Sequence, residues 1–367
     1  MAVGFPAKTN FATGDVLTAT NMNDITGTLN LLQSTLYPAG RNKIINGDFT
    51  VNQRAFSSDT AGGYSFDRWQ VALSGGTCTY TAQTFALGTA PVAGYEGKNF
   101  FRLTTTVGND FLRAAQSIES VRTFAGQKVV LSFWAKGTNP TSPGYLAVMI
   151  QQYFGTGGSP SASVSSADQN FTLTANWTRY SFTFDVPSIA GKTIGTAGND
   201  KLDINIGQIT NASTDAWTLD LWGVQLEAAS TGSTASPFQT ASGSLGGELA
   251  LCQRYYYRWT TANGGSNVAY AASVFVYSAT QAYGLLSFPV SMRSTPASIE
   301  TTGTGSNYRL LIGGAVTNCN AVPTLDQANP YSILILFPVA SGLTAGQGGV
   351  AGANSSSNTY LGFTAEL

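Results

Sequence analysis

Period-two alternation of apolar and polar residues dominates the chain from about residue 44 to residue 230. Between positions 178 and 186, Tyr180, Phe182, Phe184 and Val186 fall on one side, with Arg179, Ser181, Thr183 and Asp185 on the other. Val129, Leu131, Phe133 and Ala135 form a second apolar face, with Ser132, Trp134 and Lys136 opposite. Leu146, Val148, Ile150 and Phe154 form a third, with Met149, Gln151 and Tyr153 opposite. Similar runs predict strands over 64–72, 77–85, 99–107, 112–119, 202–209 and 217–227. The last of these is apolar on both faces (Leu219, Leu221, Val224, Leu226), which places it centrally in its sheet. Short strands of this kind, separated by turn residues, imply a two-sheet sandwich of jelly-roll type.

The pattern lapses after residue 228 into Ala, Ser, Thr and Gly with little to bury, a surface strap. Apolar runs then resume over 251–260, 268–277, 283–288, 297–301, 308–312, 332–337 and 360–365, a second and smaller β-module. The glycine-rich stretch 342–352 reads as a loop. Its glycines have no strand–turn–helix context, so it is not a dinucleotide fingerprint. The fold class is therefore all-β. The chain divides into 1–40, a docking and oligomerisation segment, 41–240, the jelly roll, and 241–367, the C-terminal β-module.

A different period appears near the start. Residues 1–15 have none, and they read as an extended arm that orders only against a partner. From 18 to 37, Met22, Ile25, Leu29, Leu32 and Leu36 recur three and four residues apart, an a/d seam on a helix. Pro38 and Gly40 end it. Alone, a helix of this length with Gly27 and several threonines is marginal, so it needs a surface to pack on. The stripe suits a helix lying on its own β-domain. It equally suits a short parallel bundle between identical subunits, which is the reading we adopt.

Composition narrows the function. The 367-residue chain is 43% hydrophobic but only 10% charged, with a net charge of −1. An average domain carries about 25% charged residues, so this surface is built mostly from hydroxyls, amides and glycine. Neither nucleic-acid binding nor an anionic membrane surface is expected, because both need a basic field. The longest late apolar run, 333–339, is too short to insert into a membrane. Histidine is absent, which removes Ser-His-Asp and Cys-His nucleophiles together. Cys78, Cys252 and Cys319 lack metal-ligand spacing and read as three buried thiols.

Several blocks of sequence resemble one family. They are Asn42-Lys43-Ile44-Ile45-Asn46-Gly47-Asp48-Phe49, Phe66-Asp67-Arg68-Trp69, Gly223-Val224-Gln225-Leu226-Glu227, Ser236-Pro237-Phe238-Gln239 and Gly247-Glu248-Leu249-Ala250-Leu251-Cys252-Gln253-Arg254-Tyr255-Tyr256. Together they look like a pattern recurrent in bacteriophage tail-fibre and other virion structural proteins that contain a carbohydrate-binding-module-like jelly roll. The leader from Asn10 to Asp24 is also similar to leaders of phage structural proteins. The resemblance implies a fibre protein of the virion, assembled in the bacterial cytoplasm and joined to other virion proteins by its N-terminal arm. It further implies a homotrimer that binds a host-surface glycan. A purely structural tail, adaptor or capsid-decoration protein is the alternative, and a glycan depolymerase a further one.

Glycan recognition needs aromatic faces for sugar C–H surfaces and polar groups for hydroxyls. Trp134, Gln151 and Tyr153 meet that description on strands expected to be neighbours, and Tyr145, Trp69 and Arg102 are expected to join them. The resemblance also implies a structural Ca2+ ion held by opening-strand and last-strand groups, here Asp48 and Asp220. Trp222 and Gly223 stand where that family's paired acids would fall. Hydrolysis would need two carboxylates at a set separation. The close pairs, Asp200 with Asp203 and Asp215 with Asp220, read better as solvated loop and edge acids, so no enzyme activity is expected. Asp67 and Arg68 read as a charged pair closing a sheet edge, and Arg254 as a cation stacked on neighbouring tyrosines.

Overall fold

A computed structural model describes residues 40–108, 110–209, 215–229, 235–261, 269–354 and 358–367. The arm and the Met22, Ile25, Leu29, Leu32, Leu36 seam lie outside the described residues. The described chain is all-β apart from one α-helix and one short 3-10 turn.

The first unit is a jelly-roll sandwich. One sheet has six strands in the spatial order Ser58–Asp59, Thr77–Thr84, Asn99–Val107, Trp217–Ala228, Lys128–Thr138, Thr178–Asp185. The facing sheet runs Gln169–Phe171, Leu146–Tyr153, Lys201–Gln208, Phe111–Glu119, Gln70–Ser74, Gly63–Tyr64, with Val164–Ser165 added beside Leu146–Tyr153. The two apolar faces form one core, in which Phe101, Phe133, Leu219 and Leu221 of the first sheet meet Leu112, Val148, Ile204 and Ile206 of the second. The doubly apolar strand Trp217–Ala228 lies between Asn99–Val107 and Lys128–Thr138, as its sequence requires.

The second unit has its own core and two sheets. Three strands run Tyr256–Thr260, Tyr360–Thr364, Ile299–Thr301. Seven run Ala315–Asn318, Tyr308–Ile312, Gly348–Ala353, Tyr270–Ser278, Gln281–Ser287, Ser332–Pro338, Thr324–Ala328. All three cysteines are free and buried.

Three strand and loop expectations fail here. Residues 64–72 are not one strand, because a turn at 66–68 separates Gly63–Tyr64 from Gln70–Ser74 and the two pair antiparallel. Residues 251–253 begin no strand; they end the helix Leu245–Gln253. Ser244 caps that helix with its side chain accepting from the Gly247 N–H at 3.2 Å. Nor is 342–352 all loop, because Gly348–Ala353 is an inner strand between Tyr308–Ile312 and Tyr270–Ser278. Its glycines carry no side chains to show the period of two, so the alternation is invisible in the sequence.

The blocks that carried the resemblance converge in space. Asn42 Oδ1 accepts from the N–H groups of Ile44 and Leu226, while its Nδ2 donates to the carbonyls of Val224 and Gln239. Asn46, in the left-handed region at φ 57°, donates to the carbonyls of Val51 and Asp67 and accepts from the Val51 N–H. Glu248 of the helix accepts the Asn46 N–H with one oxygen and the N–H and hydroxyl of Ser242 with the other. Trp69 donates its indole N–H to the Asn46 carbonyl at 2.9 Å. One knot of buried amides and carboxylates thus ties the opening turn, the last sandwich strand, the strap and the helix together.

The same region joins the two units. Arg68 is buried and pairs with Glu366 near the C-terminus, donates to the Ser117 carbonyl, and lies over the Tyr255 ring at 3.5 Å. Asp67 turns the other way and accepts from the Gln53 N–H and amide, so Asp67 and Arg68 are not a pair. Arg254 does not stack on a tyrosine as expected; it reaches Glu119 of the sandwich.

Candidate functional site

The structure separates the residues expected to form a glycan platform. Trp134 lies on Lys128–Thr138 in the six-stranded sheet, whereas Gln151 and Tyr153 lie on Leu146–Tyr153 in the facing sheet. Their outward sides therefore point in opposite directions. Alternation fixes which side of a strand a residue takes, not which sheet the strand joins. Trp134 is half-buried against Trp222 (centroids 5.7 Å apart) and beneath the Arg179 guanidinium at 4.6 Å. Trp69 is fully buried on Phe49 and Phe66's side of the core, a structural ring. Tyr145 lines a small hollow with Pro143 and Gln208. Tyr153 lies near Lys201, whose ammonium is 5.9 Å from the ring centroid. Gln151 donates to the Ser165 hydroxyl at 2.9 Å.

Arg102 does share the outer face of the six-stranded sheet with Trp134, but it is spoken for. Its Nε and Nη2 donate to Asp220 Oδ1 and Oδ2 at 2.5 and 2.7 Å. Lys136 adds a second cation 3.8 Å from the same carboxylate. Asp48 accepts from the hydroxyls of Thr50 at 2.7 Å and Tyr95 at 2.8 Å. Among the described residues no three His, Cys, Asp or Glu side chains come together as a metal cluster. Calcium takes six to eight oxygens. An Asp220 already neutralised by Arg102 does not fit that role, and Asp48 is engaged by Thr50 and Tyr95.

The acid pairs weighed for hydrolysis are also engaged. Asp200 accepts from the Ser120 hydroxyl and the Val121 N–H, Asp203 from the Ser117 hydroxyl, and Asp215 from the Ser142 N–H.

What the fold does assemble is a cleft of about 430 Å³ beside the knot, in the range that holds small ligands. Three distant segments line it: Asp48 and Thr50 after the opening turn, Tyr95, Glu96 and Lys98 on the loop before Asn99–Val107, and Phe238, Gln239, Thr240 and Ser244 on the strap, with Glu248 behind. Tyr95 and Phe238 meet edge to face at 5.4 Å, and both rest on the buried Trp222 at 5.5 and 5.0 Å. Gly97 lets the loop lie flat there, since a Cβ at that position would sit 2.8 Å from the Trp222 indole nitrogen. Burial first, and the Asp48 carboxylate second, push the Tyr95 phenol well above its ordinary value, so it stays a hydrogen-bond donor. Burial likewise raises the Glu248 carboxyl, against the lowering effect of the N–H groups it accepts. The exposed Glu96 and Lys98 stand at the mouth.

Rings, carboxylates, an ammonium, an amide and hydroxyls around one hollow can stack on a sugar face and bond its hydroxyls. Of these residues the sequence flagged Asp48, as a metal ligand, and Phe238, Gln239 and Glu248, within motifs. Tyr95 was missed. Its signal is an aromatic residue in the glycine-flanked run Gly94-Tyr95-Glu96-Gly97-Lys98.

No family model and no curated protein matches the chain. Among solved structures it is similar to the enzymatically active domain of bacteriophage CBA120 tailspike protein 4, at 17% identity and a TM-score of 0.33 over 51% of this chain. The chain covers only 21% of that tailspike domain. It is also similar to the N-terminal cellulose-binding domain of Cellulomonas fimi β-1,4-glucanase C, at 16% identity and a TM-score of 0.27, covering 41% of this chain and 89% of that one. A xylan-binding domain of Paenibacillus barcinonensis gives 13% identity and a TM-score of 0.28, covering 44% of this chain and 92% of that domain.

Proposed function

We propose that this protein is a fibre component of a bacteriophage virion that binds host-surface glycans in the Tyr95–Phe238 cleft without cleaving them. The observation that carries the binding is the cleft itself, where two rings on a tryptophan base face Asp48, Glu96, Lys98 and Gln239. The virion setting rests on the sequence blocks named above and on the leader. Residues 1–40 are the segment that would anchor the chain to other virion proteins and to two sister chains. Single cleft-sized sites bind sugars weakly, and several copies facing one surface multiply their effect.

Calorimetric titration of the full chain with purified host-surface polysaccharide tests the cleft. Lys98→Ala and Tyr95→Ala are expected to weaken binding by about tenfold or more, the worth of one lost ring or charge contact of roughly 1.4 kcal/mol. Tyr153→Ala, on the other sheet, is expected to leave it unchanged. Unaltered binding in folded cleft variants would sink the reading. Antibody to the C-terminal module, imaged on intact particles, separates a distal fibre from a buried structural part.

A further inference from the structure

Among the described residues, nothing covers one sheet face of the C-terminal module. Along Tyr270–Ser278, Ala272, Val274 and Val276 point into the core, so Ser273, Phe275 and Tyr277 point out. On Gln281–Ser287 Tyr283 and Leu285 point out between Gln281 and Ser287, and on Ser332–Pro338 Leu334 and Leu336 point out between Ser332 and Pro338. Register aligns them into rows: Phe275 opposite Tyr283 opposite Leu336, and Ser273 opposite Leu285 opposite Leu334. Val350 and Leu311 extend the second row on the far side. Phe275 stacks on Tyr283 at 5.6 Å, and Tyr277 meets the same ring edge-on at 5.7 Å. Phe275 is 51%, Leu285 57% and Tyr277 65% exposed.

We infer that this face is an interface with a second copy of this chain. Five strands about 4.8 Å apart, each spanning about five residues at 3.4 Å and turning every second one outward, give a footprint of roughly 400 Å². That is already the size of the largest apolar patches monomers leave in water. Two such faces, packed sheet on sheet about 10 Å apart, remove about 1,000 Å² once ring relief is counted, the threshold of a specific interface. A glycan is the poorer occupant, because these rows offer its hydroxyls only the Ser273 and Tyr283 hydroxyls and no carboxylate. The two rows carry no charge, and Arg309 beside them donates to the Tyr270 hydroxyl at 3.2 Å. A chain of net charge −1 also does little to repel its own copies. The inference stands apart from the glycan cleft, which lies on the other unit.

The test is thiol labelling of the full chain, whose native cysteines are all buried. Leu285→Cys is compared with Leu87→Cys, at a position 94% exposed. In concentrated protein the thiol at 285 is expected to label about tenfold more slowly than the one at 87, since a covered interface opens only by dissociation. Adding Phe275→Asp is expected to restore fast labelling at 285, whether or not residues 1–40 still hold copies together. Ser273→Asp serves the same purpose where Phe275→Asp fails to fold. Equal labelling at 285 and 87, slow labelling in a species with the mass of one chain, or protection that appears only with added polysaccharide would each overturn the inference.

Discussion

Arg254 holds Glu119 by two parallel hydrogen bonds, Nε to Oε2 at 3.0 Å and Nη2 to Oε1 at 2.8 Å, and Tyr255 donates to the same carboxylate at 3.0 Å. The pair joins the end of the helix to an inner strand of the sandwich, across the junction of the two units. Both side chains are more than a third exposed, so solvent screens the pair. Arg254→Ala is expected to cost only about 1 kcal/mol by denaturant titration. Burial raises the Glu119 carboxyl, but the hydrogen bonds and charge of Arg254, with Tyr255, outweigh it and leave the net value depressed. A depressed carboxyl contributes stability above its unfolded value of 4.5 and loses it as pH falls through the folded value. The gap between wild type and Arg254→Ala should therefore close on acidification below 4.5.

Glu248 runs the opposite way. Burial raises its carboxyl, with a smaller push from Asp48, against the N–H and hydroxyl groups of Asn46 and Ser242 that it accepts. A raised value contributes stability that is complete below the unfolded 4.5 and is lost as pH rises through the folded value. Glu248→Gln cannot accept at both ends, because its amide NH2 would face the N–H of either Asn46 or Ser242. It should cost about 1–3 kcal/mol in acid. That cost should shrink as pH is raised toward neutrality, in a series of urea titrations across pH.

Much of this was legible in the sequence, and the failures have physical causes. Strands such as Phe111–Glu119 bury alternate side chains, and alternation is what a sequence displays best. The inner position of Trp217–Ala228 followed from its two apolar faces. Alternation could not pair Trp134 with a neighbour, because sheet membership depends on long-range register. Trp69 read both as a ring packed under the sheet and as a platform candidate; a turn in which Arg68 takes φ 71° turns the indole inward to the Asn46 carbonyl. The cleft was legible only in pieces, as residues 48, 95 and 238 meet through closure of the sandwich and the return of the strap. Arg102 and Asp220 were singled out for separate tasks, and the fold spends each on the other.

That pairing predicts indifference to chelators. With Asp220 held by Arg102, and no acidic cluster among the described residues, EDTA should leave the melting temperature unchanged to about 1 °C. Arg102→Ala should instead destabilise by about 2 kcal/mol. It leaves a carboxylate with a 3% exposed side chain dependent on Lys136 at 3.8 Å. A melting temperature that drops in EDTA would show that an oxygen site has been overlooked.

Gly47 is the position where a single methyl should do most harm. Its carbonyl accepts the Val224 N–H at 2.9 Å, which docks the opening turn on the bulge of the last sandwich strand. A Cβ at 47 would lie 2.1 Å from the Val224 carbonyl oxygen, a backbone atom with nowhere to go. Gly47→Ala should cost at least about 3 kcal/mol in thermal or chemical unfolding. Gly40→Ala meets nothing within 4 Å but holds φ 85°, so it should cost only about 1 kcal/mol, through backbone strain.

Trp69 separates packing from recognition. Its ring is fully buried, 5.1 Å from Phe49, and its N–H is bound to the Asn46 carbonyl inside the knot. Trp69→Ala removes a large core side chain and should cost about 3–5 kcal/mol. Trp69→Phe keeps most of the apolar contact but removes the donor to a carbonyl that water cannot reach, so it should cost about 1–3 kcal/mol. Neither variant touches the cleft directly. Polysaccharide binding by the folded fraction of Trp69→Phe should therefore match wild type, measured at a temperature well below its melting point. Lost binding in a folded Trp69→Phe would mean that the indole serves the ligand, and the assignment of this ring to the core would then be wrong.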